Sequence, residues 1–99
     1  MEVTLLFFDD CPNWRRADEH LRQIAKEIPG IVINRQRVET AEQADTLGFR
    51  GSPSILIDGA DPFADADAPT GLSCRMYPTP TGVAGAPTLD QLRAAFADA

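Results

Sequence analysis

Residues 3–14 have the sequence VTLLFFDDCPNW, which joins an apolar segment to the beginning of a helix. The run Val3–Phe8 is rich in β-branched and aromatic residues and predicts a central strand that is covered on both faces. Pro12 favours the first position of a helix, where its missing N–H costs nothing. Apolar residues then recur at steps of three and four until Pro29-Gly30, where the helix should end. Cys11 is therefore expected at the junction of a strand and a helix.

The rest of the chain predicts three more strands and two more helices. The further predicted strands are residues 31–38, 54–57 and 72–77. Helices are predicted after two capping-box pairs, Thr40 with Gln43 and Thr88 with Gln91. The order is βαβαββα, which predicts one α/β domain over residues 1–99. Its core would be a central four-stranded mixed sheet with helices on both faces.

The charge balance argues against two classes of partner. Nine basic and fifteen acidic residues give a formal net charge of −6, which repels the phosphates of nucleic acid and of anionic membranes. No apolar run approaches the roughly 20 residues that span a bilayer, and the N-terminus lacks the pattern of a secretory signal. We therefore expect a cytoplasmic protein. Structural disulfides are normally kept reduced there, so two cysteines predict free thiols, redox groups or metal ligands.

Two motifs resemble the thioredoxin and glutaredoxin superfamily. One is Cys11-Pro12 at the helix start; the other is GFRGSPSILIDG at residues 48–59. The resemblance implies a thioredoxin-like fold, with a cis bond before Pro53 facing the cysteine and the backbone of Ser52 holding a peptide or thiol substrate. Trp14 stands where the family's motif has its second cysteine, which implies a one-thiol form similar in outline to monothiol glutaredoxins.

The first hypothesis is a thiol-disulfide oxidoreductase in which Cys11 forms mixed disulfides with a small thiol or a protein thiol. Backbone dipoles at a helix start favour the thiolate of Cys11, which is the predicted catalytic residue. The predicted substrate-binding residues are Pro12, Trp14, Ser52 and Pro53.

Cys74 is a possible second thiol. If Tyr77 pairs opposite Pro53, Cys74 lies ~10 Å from Cys11 at ~3.3 Å per residue. A disulfide needs Cα atoms roughly 4.4–6.8 Å apart. We therefore expect a packed thiol at Cys74, with direct pairing to Cys11 as the less favoured alternative.

Two further functions compete with the first. Gly71–Tyr77 resembles small proteins grouped loosely with organomercury lyases, which implies a soft-metal or organomercurial site using Cys11 and Cys74. A non-catalytic binding module would instead use the groove formed by Trp14, Ser52 and Pro53.

His20 is the only histidine, and the helix places it about 13 Å from Cys11 along the axis. We expect it at the surface and predict neither a Cys–His pair nor a closed zinc site. The sequence predicts no metal and no cofactor.

Overall fold

The computed structural model describes residues 1–65 and 67–99, which form three helices and two small sheets. The helices are Trp14–Glu27 (α1), Ala41–Leu47 (α2) and Leu89–Asp98 (α3). The strands are Glu2–Phe7 (β1), Val32–Arg37 (β2), Ser54–Ile57 (β3), Tyr77–Thr79 (β4) and Gly82–Ala84 (β5). Within these ranges no helix combines the length and apolar character needed to cross a bilayer.

The larger sheet has the strand order β2-β1-β3. Its central strand is β1, which pairs parallel with β2 and antiparallel with β3. The central position predicted from the apolar run of β1 is confirmed. The strand β2 turns polar along its length and lies at an edge, as its sequence indicates.

The prediction of a central four-stranded sheet in βαβαββα order is wrong. Residues 72–76 do not form a strand of the larger sheet; in this segment one isolated parallel bridge joins Cys74 to Ser52. Tyr77 instead begins a second sheet, in which β4 and β5 pair antiparallel. The α/β class is retained, but its strands are divided between two sheets.

Local chemistry favours this second sheet over a fourth strand in the first. Pro78 has no N–H to donate to a longer ladder, so it suits a short strand near an edge. Gly82 adopts a φ of 123°, which a side chain disfavours, and follows a two-residue turn. These residues make a local hairpin in a segment that we predicted to be an irregular connection.

Helices cover both faces of the larger sheet. On one face, α1 and α3 bury the main apolar cluster, which includes Val3, Leu5, Leu21, Ile24, Ile55, Leu92 and Phe96. On the other face, α2 contributes to a smaller cluster of Leu6, Val38, Ala44 and Phe49. The alternation of Leu5 and Leu6 between the clusters follows from the two-residue period of a strand.

The prediction that α1 opens at Pro12 is wrong by two residues, because the helix begins at Trp14 with Asn13 as its N-cap. The starts of α2 and α3 are largely confirmed. Thr88 and Gln91 form a complete capping box at α3. At α2 the Thr40 hydroxyl accepts from the Gln43 N–H at 3.1 Å, but the Gln43 side chain accepts from the N–H of Glu39. One half of the predicted reciprocal pair is therefore shifted by a residue.

Candidate functional site

Cys11 and Cys74 are joined by a disulfide bond, with Cα atoms 5.7 Å apart. This separation lies within the usual range for a disulfide. The expectation of a packed, unpaired thiol at Cys74 is wrong. It assumed that Tyr77 lies opposite Pro53, whereas the parallel bridge places Cys74 itself opposite Ser52.

Cys11 lies in the turn between β1 and α1, as predicted. Its N–H donates to the carbonyl of Phe8 at 3.0 Å, and the residue is 1% exposed. The Asn13 amide nitrogen and the Ser52 carbonyl oxygen each lie 3.7 Å from its Sγ atom. A disulfide sulfur has no hydrogen, so the Ser52 carbonyl can accept from Cys11 only when the bond is reduced to a thiol. The Asn13 amide can donate to the sulfur in either state, and more strongly to a thiolate.

The Asn13 side chain fills the space beside Gly85 that a Cβ atom would need. A Cβ atom added at Gly85 would lie 2.3 Å from the Asn13 amide nitrogen and 2.4 Å from its Cγ. Glycine is therefore what leaves room for the carboxamide beside Cys11. Sequence reasoning missed both residues. The only signal was the position of Asn13 two residues after the cysteine.

The Ser52–Pro53 peptide bond is cis, as predicted from the resemblance. The Ser52 N–H donates to the carbonyl of Ser73 at 2.7 Å, and the Ser52 carbonyl accepts from the Arg75 N–H at 2.8 Å. The backbone groups that we expected to hold a substrate therefore hold the chain's own residues. The Ser52 hydroxyl is buried and has no hydrogen-bond partner among the described residues.

Arg75 fixes the segment that carries Cys74. Its guanidinium pairs with Asp61 at 2.7 Å, donates to the carbonyl of Phe63 and lies 4.7 Å from the ring centre of Tyr77. A Cβ atom at Gly51, where φ is 113°, would lie 2.9 Å from the Arg75 Cβ. The segment is thus packed directly against the backbone and does not depend on the disulfide alone.

Tyr77 anchors the other end of this segment. Its hydroxyl donates to the carbonyl of Pro53, and its ring meets Phe63 edge to face. Burial raises the pKa of the phenol above its ordinary value. The cis-proline loop is therefore tied to residues 73–77 at Ser52 and at Pro53.

The other predicted residues have more peripheral positions. Trp14 stacks on Phe7 with ring centres 4.4 Å apart, and the Arg15 guanidinium lies 5.6 Å from its ring centre. Pro12 is exposed at the turn. His20, which we expected at the surface, is half-buried. Its Nδ1 lies 3.1 Å from the carbonyl of Pro87, so it joins α1 to the loop before α3.

The site contains two bonded sulfurs, an amide donor at Asn13 and a buried hydroxyl at Ser52. Groups of three or more His, Cys, Asp and Glu side chains that could hold a metal do not occur in residues 1–65 and 67–99. The arrangement therefore holds two sulfurs at bonding distance beside one amide donor. Neither a scan of protein-family models nor a search of curated proteins finds a match to the chain.

Proposed function

We propose that the chain is a thiol-disulfide oxidoreductase whose working pair is Cys11 and Cys74. The observation that carries the proposal is the bonded pair itself, with one sulfur at a helix start beside Asn13 and the other on a segment fixed by Arg75. The family resemblance suggested a single active thiol. The second sulfur now comes from a residue 63 positions further along the chain.

The proposed reaction transfers two electrons between substrate thiols and the Cys11–Cys74 pair. Two thiols reduce the protein disulfide to two thiols and leave as one disulfide, and the reverse reaction oxidises the pair. The bonds that hold the segment of Cys74 do not involve the disulfide, so we expect the two sulfurs to stay close after reduction. In the cytoplasm, which we retain as the proposed compartment, such a disulfide would be transient and catalytic.

The test is a thiol count coupled to turnover. The oxidised protein should gain two free thiols with excess free cysteine, and the reduced protein should reduce bis(2-hydroxyethyl) disulfide. Cys11→Ser should stop at a mixed disulfide on the exposed Cys74, and Cys74→Ser, which keeps only the buried Cys11, should not turn over. A bond that resists excess thiol, or a reduced pair that leaves the small disulfide intact, would make this a structural cross-link.

Soft-ion binding by the reduced pair is a second candidate, favoured by the same juxtaposition of sulfurs. Two thiolates on a fixed frame are suited to a soft ion such as Cu⁺. Titration of the reduced protein with Cu⁺ should then give one bound ion per chain. Both Cys11→Ser and Cys74→Ser should abolish that binding, whereas the oxidised protein should not bind.

A further inference from the structure

The two bonded sulfurs belong to residues of opposite exposure. Cys11 is 1% exposed, beneath the cis-proline loop and the Asn13 side chain. Cys74 is exposed. Because thiol exchange requires direct contact between the incoming sulfur and the one attacked, access favours Cys74.

A cavity of about 560 Å³ adjoins Cys74. It lies between the loop that follows β3 and the segment fixed by Arg75; its walls include Arg50, Phe63, Ala64, Met76 and Tyr77. Its volume is within the range that suits a small molecule.

The backbone beside the disulfide is already paired. Extended peptides bind to exposed strand edges through main-chain hydrogen bonds. At Ser52 the N–H and the carbonyl are taken by Ser73 and Arg75. An extended protein substrate therefore finds no free main-chain groups at Ser52 to pair with. A compact thiol in the cavity does not need them.

We propose that the substrates are low-molecular-weight thiols and disulfides, which reach the pair through this cavity and exchange at Cys74. This rests on the proposed function and specifies its substrate class and attacked sulfur. The incoming thiolate bonds to the Cys74 sulfur, the bond to Cys11 breaks, and Cys11 leaves as a thiolate. A second thiolate then attacks the substrate sulfur of the mixed disulfide, so that a small disulfide leaves and Cys74 becomes a thiolate.

One group beside Cys11 stabilises it as a leaving group. A thiol leaves faster when its thiolate is stabilised. The Asn13 amide lies 3.7 Å from the Cys11 sulfur, and the first turn of α1 follows. This donor offsets part of the cost of a buried thiolate beside the Ser52 carbonyl, so the direction of attack is decided by access.

Mapping the first adduct tests the attacked sulfur. Oxidised wild-type protein is mixed briefly with free cysteine, quenched with acid, alkylated and digested with trypsin, which places Cys11 in residues 1–15 and Cys74 in residues 51–75. We expect cysteine disulfide-linked to the 51–75 peptide and the alkyl group on the 1–15 peptide. The opposite labelling with turnover intact would overturn this inference alone, whereas a disulfide inert to every thiol would overturn the proposed function as well.

Narrowing the cavity tests whether small thiols reach Cys74 through it. Ala64 is exposed and lines the cavity, while Ala97 is exposed on α3 and is not part of its lining. Ala64→Trp should slow reduction by free cysteine about tenfold, equal to roughly 1.4 kcal/mol of barrier, and the control Ala97→Trp should not. Far-UV circular dichroism should be unchanged in both. Equal rates of reduction for the two variants would show that small thiols do not reach Cys74 through this cavity.

Comparison of thiols tests the substrate class. With wild-type protein, a cysteine in the middle of an unstructured ten-residue peptide should react about tenfold more slowly than free cysteine. Reaction at the same rate, after correction for thiolate fraction, would overturn the preference for small thiols.

Discussion

At the scale of single residues, the hydroxyl of Ser52 is a buried polar group with no hydrogen-bond partner in residues 1–65 and 67–99. Such groups cost free energy unless they bond, so each one needs an explanation in function or structure. The Ser52 carbonyl lies 3.7 Å from the Cys11 sulfur. The hydroxyl itself bonds to no described residue, and we expect it to turn towards the Cys11 sulfur and donate to the thiolate on reduction.

Ser52→Ala should have opposite effects on the stability of the oxidised and the reduced protein. The oxidised variant should be as stable as wild type or more stable by up to about 1 kcal/mol, because it loses an unsatisfied group. The reduced variant should lose stability, which shifts the equilibrium towards the disulfide. Urea unfolding in each state measures both effects, with the exposed Ser73→Ala as control. An unchanged redox equilibrium would argue against the donor role.

Gly85→Ala should act through Asn13. The added methyl group displaces the carboxamide, a short side chain that can move, so the cost in stability should be about 1 kcal/mol. Reduction by free cysteine should slow because the Cys11 thiolate loses its amide donor. In an Asn13→Ala background the same substitution should have little further effect on the rate. Independent, additive effects on the rate would contradict the coupling.

Tyr77 offers a direct optical test because it is the only tyrosine. Burial raises its pKa, so the neutral form is favoured in the folded protein. This pKa difference adds to the free energy of unfolding below pH 10, which is about the pKa of tyrosine in the unfolded chain. The added stability is lost as the pH rises above that value. Absorbance at 295 nm should show ionisation only together with loss of the circular dichroism signal. Reversible ionisation near pH 10 in the folded protein would contradict this.

At the scale of elements, Arg93 of α3 donates two hydrogen bonds of 2.7 and 2.8 Å to the carboxylate of Glu27 on α1. Arg93, with help from Gln23, lowers the pKa of Glu27 from 4.5 to about 2. The pKa of Glu27 is lower in the folded than in the unfolded protein. The ion pair therefore contributes to the free energy of unfolding above pH 4.5, and this contribution disappears as the pH falls towards 2.

Glu27→Gln should therefore reduce the free energy of unfolding at pH 7 and not at pH 2. The pair is exposed, so the loss should be small and should shrink with added salt. Urea unfolding across this pH range checks it, with Glu19→Gln on the same helix as control. A loss that persists unchanged at pH 2 would show that packing rather than charge links the helices.

The elements differ in how far sequence alone could predict them. The strands β1 and β3 and the capping box of α3 follow from neighbouring residues, and they were predicted correctly. The partner of Cys11 depends on how residues 72–76 cross Ser52, which is a contact between distant segments. The inward guanidinium of Arg75 and the proximity of Gly85 to Asn13 are likewise tertiary, and periodicity gives no sign of them.

At the scale of the whole molecule, the disulfide closes a loop with a sequence separation of 63. Removing such a cross-link frees the unfolded chain and should lower the free energy of unfolding by about 4 kcal/mol. Urea unfolding with and without reductant measures the difference, and Cys74→Ser should not respond to reductant. A change well below 1 kcal/mol would indicate that the reduced unfolded chain stays compact.

The same closed loop alters how the molecule would bear a mechanical load. Tension applied between the two termini of the oxidised chain runs through the sulfur–sulfur bond and bypasses α1, β2, α2 and β3. A separation of 63 residues corresponds to about 210 Å of extended chain, which stays hidden until the bond is cleaved. Because a small thiol can cleave that bond, the length to which the pulled chain extends would report the redox state of its surroundings.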